Sequence, residues 1–178
     1  MLTVKSKFPQ FSGKAVISSD IQNAFVDINN NSFKGKWLVF FFWPKDFTFV
    51  CPTEISEFGK LNEQFKDRDC QIIGASTDSE FVHLAWRSQR EELKNLPFPM
   101  FSDVDRSLSS QLGIIDPEDG VAQRATFIVD PNNIIRFSYI TDMNVGRNPN
   151  EVLRVLDALQ TDELCPCNWK KGDDVIKI

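Results

Sequence analysis

Residues 37–54 read WLVFFFWPKDFTFVCPTE, and this stretch decides the fold that the sequence predicts. Its first half is a continuous apolar run of strand length, which is typical of a central strand buried on both faces of a sheet. Pro44 ends that run, and Cys51 stands directly before a proline that suits the first turn of a helix. The sequence therefore predicts a buried strand, a loop, and a helix with Cys51 at or beside its N-terminus.

The segments that follow alternate between helix and strand patterns. Helical spacing continues to about residue 69, and CQIIGAS at residues 70–76 indicates another buried strand. Residues 79–93, SEFVHLAWRSQREEL, have the pattern of an amphipathic helix. Its apolar face is predicted to contain Phe81, Leu84 and Ala85. Strands and helices in alternation predict an α/β layer architecture.

The last third of the chain predicts a hairpin and a helix. Residues 125–140, ATFIVDPNNIIRFSYI, form two β-rich runs around a strong turn signal. Asn148 is a candidate N-cap, with Pro149 at the first helical position and Glu151 three residues after the cap. The order fits a thioredoxin-like fold with a central mixed β-sheet flanked by helices, although the pattern alone leaves other α/β folds open. We expect one domain over residues 1–160 and a C-terminal tail over 161–178.

Length, charge and cysteine content exclude several classes of protein. The 178 residues carry a net charge of −5, so the basic surface typical of nucleic-acid binding is missing. The longest apolar run is too short to span a membrane, and the first residues lack the apolar stretch of a signal peptide. We therefore expect a cytoplasmic protein without nucleic-acid or membrane partners. Four cysteines, a single histidine (His83) and no CxxC pair weigh against a disulfide scaffold and a zinc site.

Three interpretations of Cys51 follow from its position: an inert buried sulfur, a metal ligand or a reactive nucleophile. A helix N-terminus offers free backbone N–H groups and positive potential, and both stabilise a thiolate. Thr48, three residues earlier, either caps the helix or orients a bound polar ligand. Pro44 either ends the strand or also shields the loop. Local residues leave these alternatives open.

The run from Pro44 to Cys51, PKDFTFVC, matches the pattern P-x-x-x-T-x-x-C, and FFFWPKDFTFVCPTEI extends the match. Together with GASTDSEFVHLAWR, LPFPMFSD, VGRNPNEVLRVLDALQ and DELCPCNW, this resembles the peroxiredoxins, specifically the alkyl hydroperoxide reductase C-type, 2-Cys branch. The resemblance covers nearly the whole chain. It implies a thioredoxin-like fold and a peroxidase that uses only thiols, without a metal or another cofactor.

The resemblance also implies roles for individual residues. Cys51 would be the peroxidatic nucleophile, assisted by Thr48, by Pro44 and by Arg124 from VAQRATFIVD. Glu54 and Trp86 match family positions near the same loop, where they either support the site or serve as a helix acid and a core aromatic residue. Cys70 matches no catalytic position and is expected to be structural. His83 is expected to be packed or solvated.

The tail carries the remaining two cysteines. Cys165, followed by proline, matches the resolving cysteine of the family, which attacks Cys51 of a partner subunit. Cys167 resembles the additional cysteine of a three-cysteine, mycobacterial-type subgroup. It either takes part in disulfide exchange or is a spectator. A third interpretation is a metal site formed by the two cysteines. The lack of a second Cys/His pair argues against it.

The implied partners are peroxide substrates, a thiol donor and further copies of the chain. The donor would be thioredoxin, a flavoprotein reductase or an alkylhydroperoxidase D-type adaptor. Homodimers would assemble into a decamer or dodecamer ring. Two competing functions are an oligomeric holdase chaperone and a general disulfide oxidoreductase, and the missing CxxC pair argues against the second.

Overall fold

One mixed β-sheet organises the molecule, and the computed structural model describes all residues, 1–178. Its strands are β1 (Ser12–Val16), β2 (Phe25–Asn29), β3 (Trp37–Phe42), β4 (Cys70–Ser76), β5 (Met100–Ser102), β6 (Arg124–Val129) and β7 (Ile135–Thr141). Across the sheet the order is β2-β1-β5-β4-β3-β6-β7. Strands β3, β4 and β5 run parallel, and the other neighbouring pairs are antiparallel. The apolar run of the opening stretch is therefore a central strand, as predicted.

Five helices and one 3₁₀ turn lie between these strands, and a sixth helix follows the last strand. They are the turn at Asn30–Phe33, α1 (Cys51–Lys60), α2 (Asn62–Lys66), α3 (Glu80–Gln89), α4 (Glu91–Lys94), α5 (Ser107–Leu112) and α6 (Pro149–Thr161). Helix α1 begins at Cys51 with a proline in its first turn, which confirms the predicted strand-to-helix junction. No helix is both long enough and apolar enough to cross a membrane.

Alternate side chains of β3 pack into two apolar cores, one on each face of the sheet. Val39 and Phe41 pack with α1, α3 and α6, whereas Phe40 and Phe42 pack with α5 and the N-terminal segment. Gly74 in the neighbouring strand is required by this packing, because a Cβ there would lie 2.7 Å from Cζ3 of Trp43 and 2.9 Å from Cζ of Phe41. The aromatic run is thus explained by burial on both faces, and it fixes the base of the loop that leads to Cys51.

The amphipathic helix predicted over residues 79–93 is divided in two. The backbone of Arg90 is extended, with φ −104° and ψ 119°, and this interrupts the helix between α3 and α4. The predicted apolar face is also wrong in part, since Phe81 and Ala85 are exposed. The buried residues of α3 are His83, Leu84, Trp86 and Arg87. Two polar side chains therefore replace the expected apolar ones in the core.

The hairpin and the last helix were predicted correctly, with one difference. Strands β6 and β7 pair antiparallel, and the side chain of Asn148 caps α6 by accepting from the Asn150 N–H. Glu151, however, does not complete a capping box. Its carboxylate accepts two hydrogen bonds from Arg154 instead.

Candidate active site

The loop between β3 and α1 is fixed at its base and strained at its tip. Pro44 is buried, where it ends the strand. Phe47 has φ 57°, in the left-handed region that a bulky residue rarely adopts. Such strain persists only where the surrounding structure enforces the conformation, and it is frequent at functional sites.

Cys51 is the first residue of α1, and its thiol is 1% exposed. No side chain caps this helix, because the N-cap residue Val50 makes no side-chain hydrogen bond. The backbone N–H of Cys51 donates to no protein atom. A free donor and the positive end of the helix dipole therefore lie beside the sulfur, as predicted from the sequence.

The hydroxyl of Thr48 contacts the sulfur directly. Its Oγ1 lies 3.0 Å from Cys51 Sγ and 2.9 Å from the carbonyl oxygen of Lys45. A hydroxyl has a single hydrogen, so Thr48 can donate to the carbonyl or to the sulfur side but not to both at once. Of the two predicted alternatives, the helix cap is not formed, and the hydroxyl faces the Cys51 sulfur.

Arg124, at the start of β6, places its guanidinium against the same sulfur. Nη1 lies 3.3 Å from Cys51 Sγ and 2.7 Å from Glu54 Oε2, and Nε donates to the carbonyl oxygen of Met143 at 2.7 Å. Its side chain is only 5% exposed. Two donor nitrogens with three contacts leave the guanidinium little rotational freedom, so a permanent positive charge is held beside the thiol.

Glu54 lies between two buried guanidinium groups. Arg147 donates to it from the backbone N–H (2.8 Å), from Nε (2.8 Å) and from Nη2 (2.9 Å). Burial alone would raise the pKa of this carboxyl, but the hydrogen bonds and charge of Arg147, together with Arg124, hold the pKa below its usual value. The carboxylate therefore stays ionised and orients Arg124 toward Cys51.

A second buried network anchors the loop from the other side. Asp46 accepts from Trp43 Nε1 at 2.7 Å and faces His83 Nδ1 at 2.7 Å, while His83 Nε2 lies 3.2 Å from the carbonyl oxygen of Phe101. Both ring nitrogens face oxygen atoms, an arrangement that favours the doubly protonated ring. Burial works to lower the pKa of His83, but the charge and hydrogen bond of Asp46 outweigh it and raise the pKa. His83 is indeed packed, in contact with the loop.

The remaining cysteines lie in different environments. Cys70 is buried, and desolvation raises the pKa of its thiol far above the ordinary value, which fits a structural residue. In the tail, Cys165 is half-buried and Cys167 is exposed; all four cysteines are free thiols. No group of three or more His, Cys, Asp or Glu side chains is arranged to hold a metal ion.

Sequence reasoning missed two residues of this site, Arg147 and Asp46, and it also missed the contact of His83 with Asp46. Glu54 and Arg147 are separated by 93 positions, and no local periodicity reports such a pairing. Asp46 lies inside the P-x-x-x-T-x-x-C pattern, where an acidic residue was a signal that could have been followed. Trp86 is buried beside Phe47, with ring centroids 6.0 Å apart, and its indole N–H has no partner.

Comparison with known proteins gives one consistent result. The AhpC/TSA family model matches residues 4–138. Alkyl hydroperoxide reductase C of Mycolicibacterium smegmatis is 55% identical over 99% of this chain and 94% of the relative. Peroxiredoxin-2 of Rattus norvegicus is 43% identical over 95% of this chain and 87% of the relative.

Solved structures agree with these sequence matches. Mycobacterium bovis AhpC superposes with a TM-score of 0.87 at 54% identity, covering 96% of this chain and 99% of that chain. The reduced 2-Cys peroxiredoxin of Plasmodium vivax gives a TM-score of 0.91 at 32% identity, covering 99% and 94%. The likeness therefore includes the tail as well as the sheet.

Proposed function

As the chain belongs to the AhpC/TSA family and is a thiol peroxidase, we propose that Cys51 is its peroxidatic nucleophile. The observation that carries this assignment is the double contact of one sulfur, 3.0 Å from Thr48 Oγ1 and 3.3 Å from Arg124 Nη1. A guanidinium beside a thiol favours the thiolate, which is the nucleophilic form. No other cysteine of the chain has a hydroxyl and a buried cation at such distances.

In the proposed reaction, the Cys51 thiolate attacks one oxygen of the peroxide, and a sulfur–oxygen bond forms as the oxygen–oxygen bond breaks. The leaving oxygen takes a proton and departs as water or an alcohol, and the sulfur is left as a sulfenic acid. Negative charge moves from sulfur to the leaving oxygen. The Arg124 guanidinium, the Thr48 hydroxyl and the free Cys51 N–H are the donors available to stabilise that charge.

The substrates are peroxides, and we propose hydrogen peroxide and small organic hydroperoxides. The name of the mycobacterial relatives, alkyl hydroperoxide reductase C, supports the organic class. Pro44, buried at the base of the loop, is proposed to shield the site from water on one side. Stopped-flow measurement of each peroxide against wild type and Cys51→Ser tests the assignment. Turnover that survives in Cys51→Ser would contradict it.

We propose that Cys165, carried by the tail at residues 161–178, resolves the sulfenic acid of a partner subunit. Its thiolate would attack the Cys51 sulfur, forming a disulfide and releasing hydroxide, which is protonated to water. Cys51 is 1% exposed, so the first turn of α1 must open for this step. The uncapped start of that helix favours opening. Non-reducing gels of Cys165→Ser and Cys167→Ser after peroxide treatment identify the thiol that forms the inter-subunit bond.

A redox partner must return the disulfide to two thiols. We propose a thiol donor of one of three classes, namely thioredoxin, a flavoprotein reductase or an alkylhydroperoxidase D-type adaptor, and reconstitution with each distinguishes them.

We also propose a homodimer that assembles into a decamer or dodecamer ring. Exposed aromatic side chains beside the site support self-association, since Phe49 is 90% exposed and Phe47 is 50% exposed. Analytical ultracentrifugation of the reduced protein measures the assembly.

A further inference from the structure

A cavity far along the chain from Cys51 brings both tail thiols together with two guanidinium groups. It has a volume of about 850 Å³ and lies between α6 and the tail. Cys165 and Cys167 line it from the tail, Arg154 from α6 and Arg136 from β7. Nothing in the peroxide step uses this cavity, so the reason for two cations beside two thiols must be sought in the chemistry of the tail.

Arg154 is held in one orientation by its own helix. Nε and Nη2 each donate to the carboxylate of Glu151 at 2.7 Å, which is a two-bond fork. The third donor, Nη1, is thereby directed at the tail, where it meets the carbonyl oxygen of Trp169 at 2.9 Å. A lysine could not make this arrangement, because it lacks the planar fork.

The contact with Trp169 fixes the short turn that bears both cysteines. Within that turn the Trp169 N–H donates to the carbonyl oxygen of Pro166 at 3.2 Å, and the Trp169 side chain is 4% exposed. Cys165 itself is held only by long contacts, 3.4 Å to Thr161 Oγ1 and 3.8 Å to the carbonyl oxygen of Ala158. The Arg154 hydrogen bond is therefore the shortest polar contact between α6 and the segment that follows Cys165; the other, between Lys171 and Asp157, spans 3.6 Å.

The charges facing the thiols come from three elements. Arg154 lies on α6, Arg136 on β7, and the carboxylates of Asp162 and Glu163 lie where the tail begins. Arg136 is paired with Asp130 at 3.3 Å and makes no bond to the tail. The pKa of Arg154 is raised, first by its hydrogen bond to Glu151 and also by the charges of Cys167 and Cys165. Arg154 is thus the cation that combines proximity to the thiols with a bond to their segment.

We propose that Arg154 is a positioning residue for thiol–disulfide exchange: fixed by Glu151, it holds the turn from Cys165 to Trp169 and keeps a positive charge beside both tail thiols. The charge favours the thiolates that exchange requires. In exchange, the Cys167 thiolate attacks a sulfur of the disulfide between Cys165 and Cys51. One sulfur–sulfur bond forms as another breaks, and the expelled sulfur leaves as a thiolate.

The proposal rests on the tail thiols acting in resolution, so its test begins with a property that does not depend on that role. Reduced wild type, Arg154→Gln, Arg154→Lys and the control Arg136→Gln are alkylated with a neutral reagent, and the rates at Cys165 and Cys167 are followed by mass spectrometry. We expect Arg154→Gln to slow alkylation of both thiols by a factor of about two to five, the size of a partly exposed charge interaction.

Two further readouts separate a positioning role from a merely structural one. The wild-type alkylation rate should fall between about 20 mM and about 1 M salt because the charge of Arg154 is screened, whereas Arg154→Gln should lose that fall and keep only the salt response of Arg136, Asp162 and Glu163. Arg154→Lys should recover the salt dependence but only part of the rate of disulfide formation after peroxide, since it keeps the charge and loses the fork. The rate of peroxide attack on Cys51 should be unaltered in all variants, and the Tm should change only modestly.

Equal alkylation rates and equal salt dependence in wild type and Arg154→Gln would overturn the proposal, as would an identical loss in Arg136→Gln. One further outcome would contradict the proposed resolving role of the tail cysteines but not the proposed role of Arg154. In that case alkylation would depend on Arg154 as expected, but peroxide-treated wild type would form no disulfide through Cys165 or Cys167.

Discussion

Cys51 and Cys165 are both thiols of the same chain, yet their surroundings differ in kind. The Cys51 sulfur is 1% exposed and lies 3.0 Å and 3.3 Å from a hydroxyl and a guanidinium, each of which is anchored by further bonds. The Cys165 sulfur is half-buried, with contacts of 3.4 Å and 3.8 Å. A nucleophile that must meet a small peroxide in one geometry benefits from rigid donors, whereas a thiol that must travel to another sulfur benefits from weak contacts.

The charges of the two regions differ in the same way. Around Cys51, Glu54 and Arg147 are at most 1% exposed in their side chains, so removing one partner leaves an uncompensated buried charge. Around the tail thiols, Arg154 and Glu151 are 31% and 44% exposed, and water screens their interaction. Substitutions should therefore have large effects in the first region and modest ones in the second.

The largest expected effect is the loss of the nucleophile. Cys51→Ser should abolish peroxide consumption in a stopped-flow assay, because no other sulfur has the hydroxyl and guanidinium contacts. Cys70→Ser is the matched control: its thiol is also buried, but burial raises the pKa, and the hydrogen-bond contact of its sulfur is a long one, 3.9 Å to the carbonyl oxygen of Gln71. Peroxide consumption in that variant should remain at the wild-type rate. Equal losses in the two variants would mean that burial, and not the donors, defines the reactive thiol.

Removal of the guanidinium beside Cys51 should be the next largest effect. Arg124→Gln should lower kcat/KM for peroxide by roughly 10²–10³, the usual cost of losing one preorganised donor to a developing negative charge. Arg136→Gln, which removes a cation of the tail cavity, should leave this rate constant unchanged. A decrease below about fivefold in Arg124→Gln would argue against direct stabilisation of the transition state.

Glu54→Gln tests how much the buried ion pairs of Glu54 with Arg124 and Arg147 contribute to the stability of the fold. We expect a decrease of about 3–5 kcal/mol in the free energy of unfolding at neutral pH, because two buried guanidinium groups lose their carboxylate. The pKa of Glu54 is lowered in the folded protein, so its contribution is present above the unfolded value of about 4.3 and is lost as pH falls through the folded pKa. In urea unfolding measured across this pH range, the free energies of unfolding of wild type and Glu54→Gln should therefore become equal at low pH. A difference that persists there would contradict the assignment.

His83→Gln should have a smaller effect with the opposite pH dependence. The pKa of His83 is raised by Asp46, so the pair contributes stability that is fully present below the unfolded value of about 6.5. That contribution is lost as pH rises through the folded pKa. Loss of the hydrogen-bonded pair should cost about 1–3 kcal/mol in urea unfolding at pH 6, and less at higher pH. A difference that grows with pH would mean that His83 is neutral in the fold.

Much of the secondary structure could be predicted from short-range patterns in the sequence. The aromatic run of β3, the proline after Cys51 and the Asn148 cap each report on neighbours within a few residues, and each was predicted correctly. The proposed nucleophile was indicated by resemblance: Pro44, Thr48 and Cys51 match a family pattern, whereas local residues alone left three interpretations of Cys51 open. Arg124 was likewise indicated by resemblance to a family and not by its spacing.

What escaped prediction depends on pairs far apart in the chain. The hydrogen bonds from Arg147 to Glu54 join positions 93 apart, and the contact between His83 and Asp46 joins positions 37 apart. The polar face of α3 was misjudged for the same reason. Arg87 is buried there because its guanidinium reaches backbone carbonyls of Ile17 and Leu96, and hydropathy periodicity does not report such partners.

The most direct measurement is to trap the oxidised sulfur. In a Cys165→Ser/Cys167→Ser variant, peroxide should convert Cys51 to a sulfenic acid that no tail thiol can resolve. A dimedone-type reagent should then label Cys51 in proportion to the peroxide added, and peptide mass spectrometry should find Cys70 unlabelled. Label at Cys70, or peroxide consumption without label at Cys51, would contradict the assignment of Cys51 as the nucleophile.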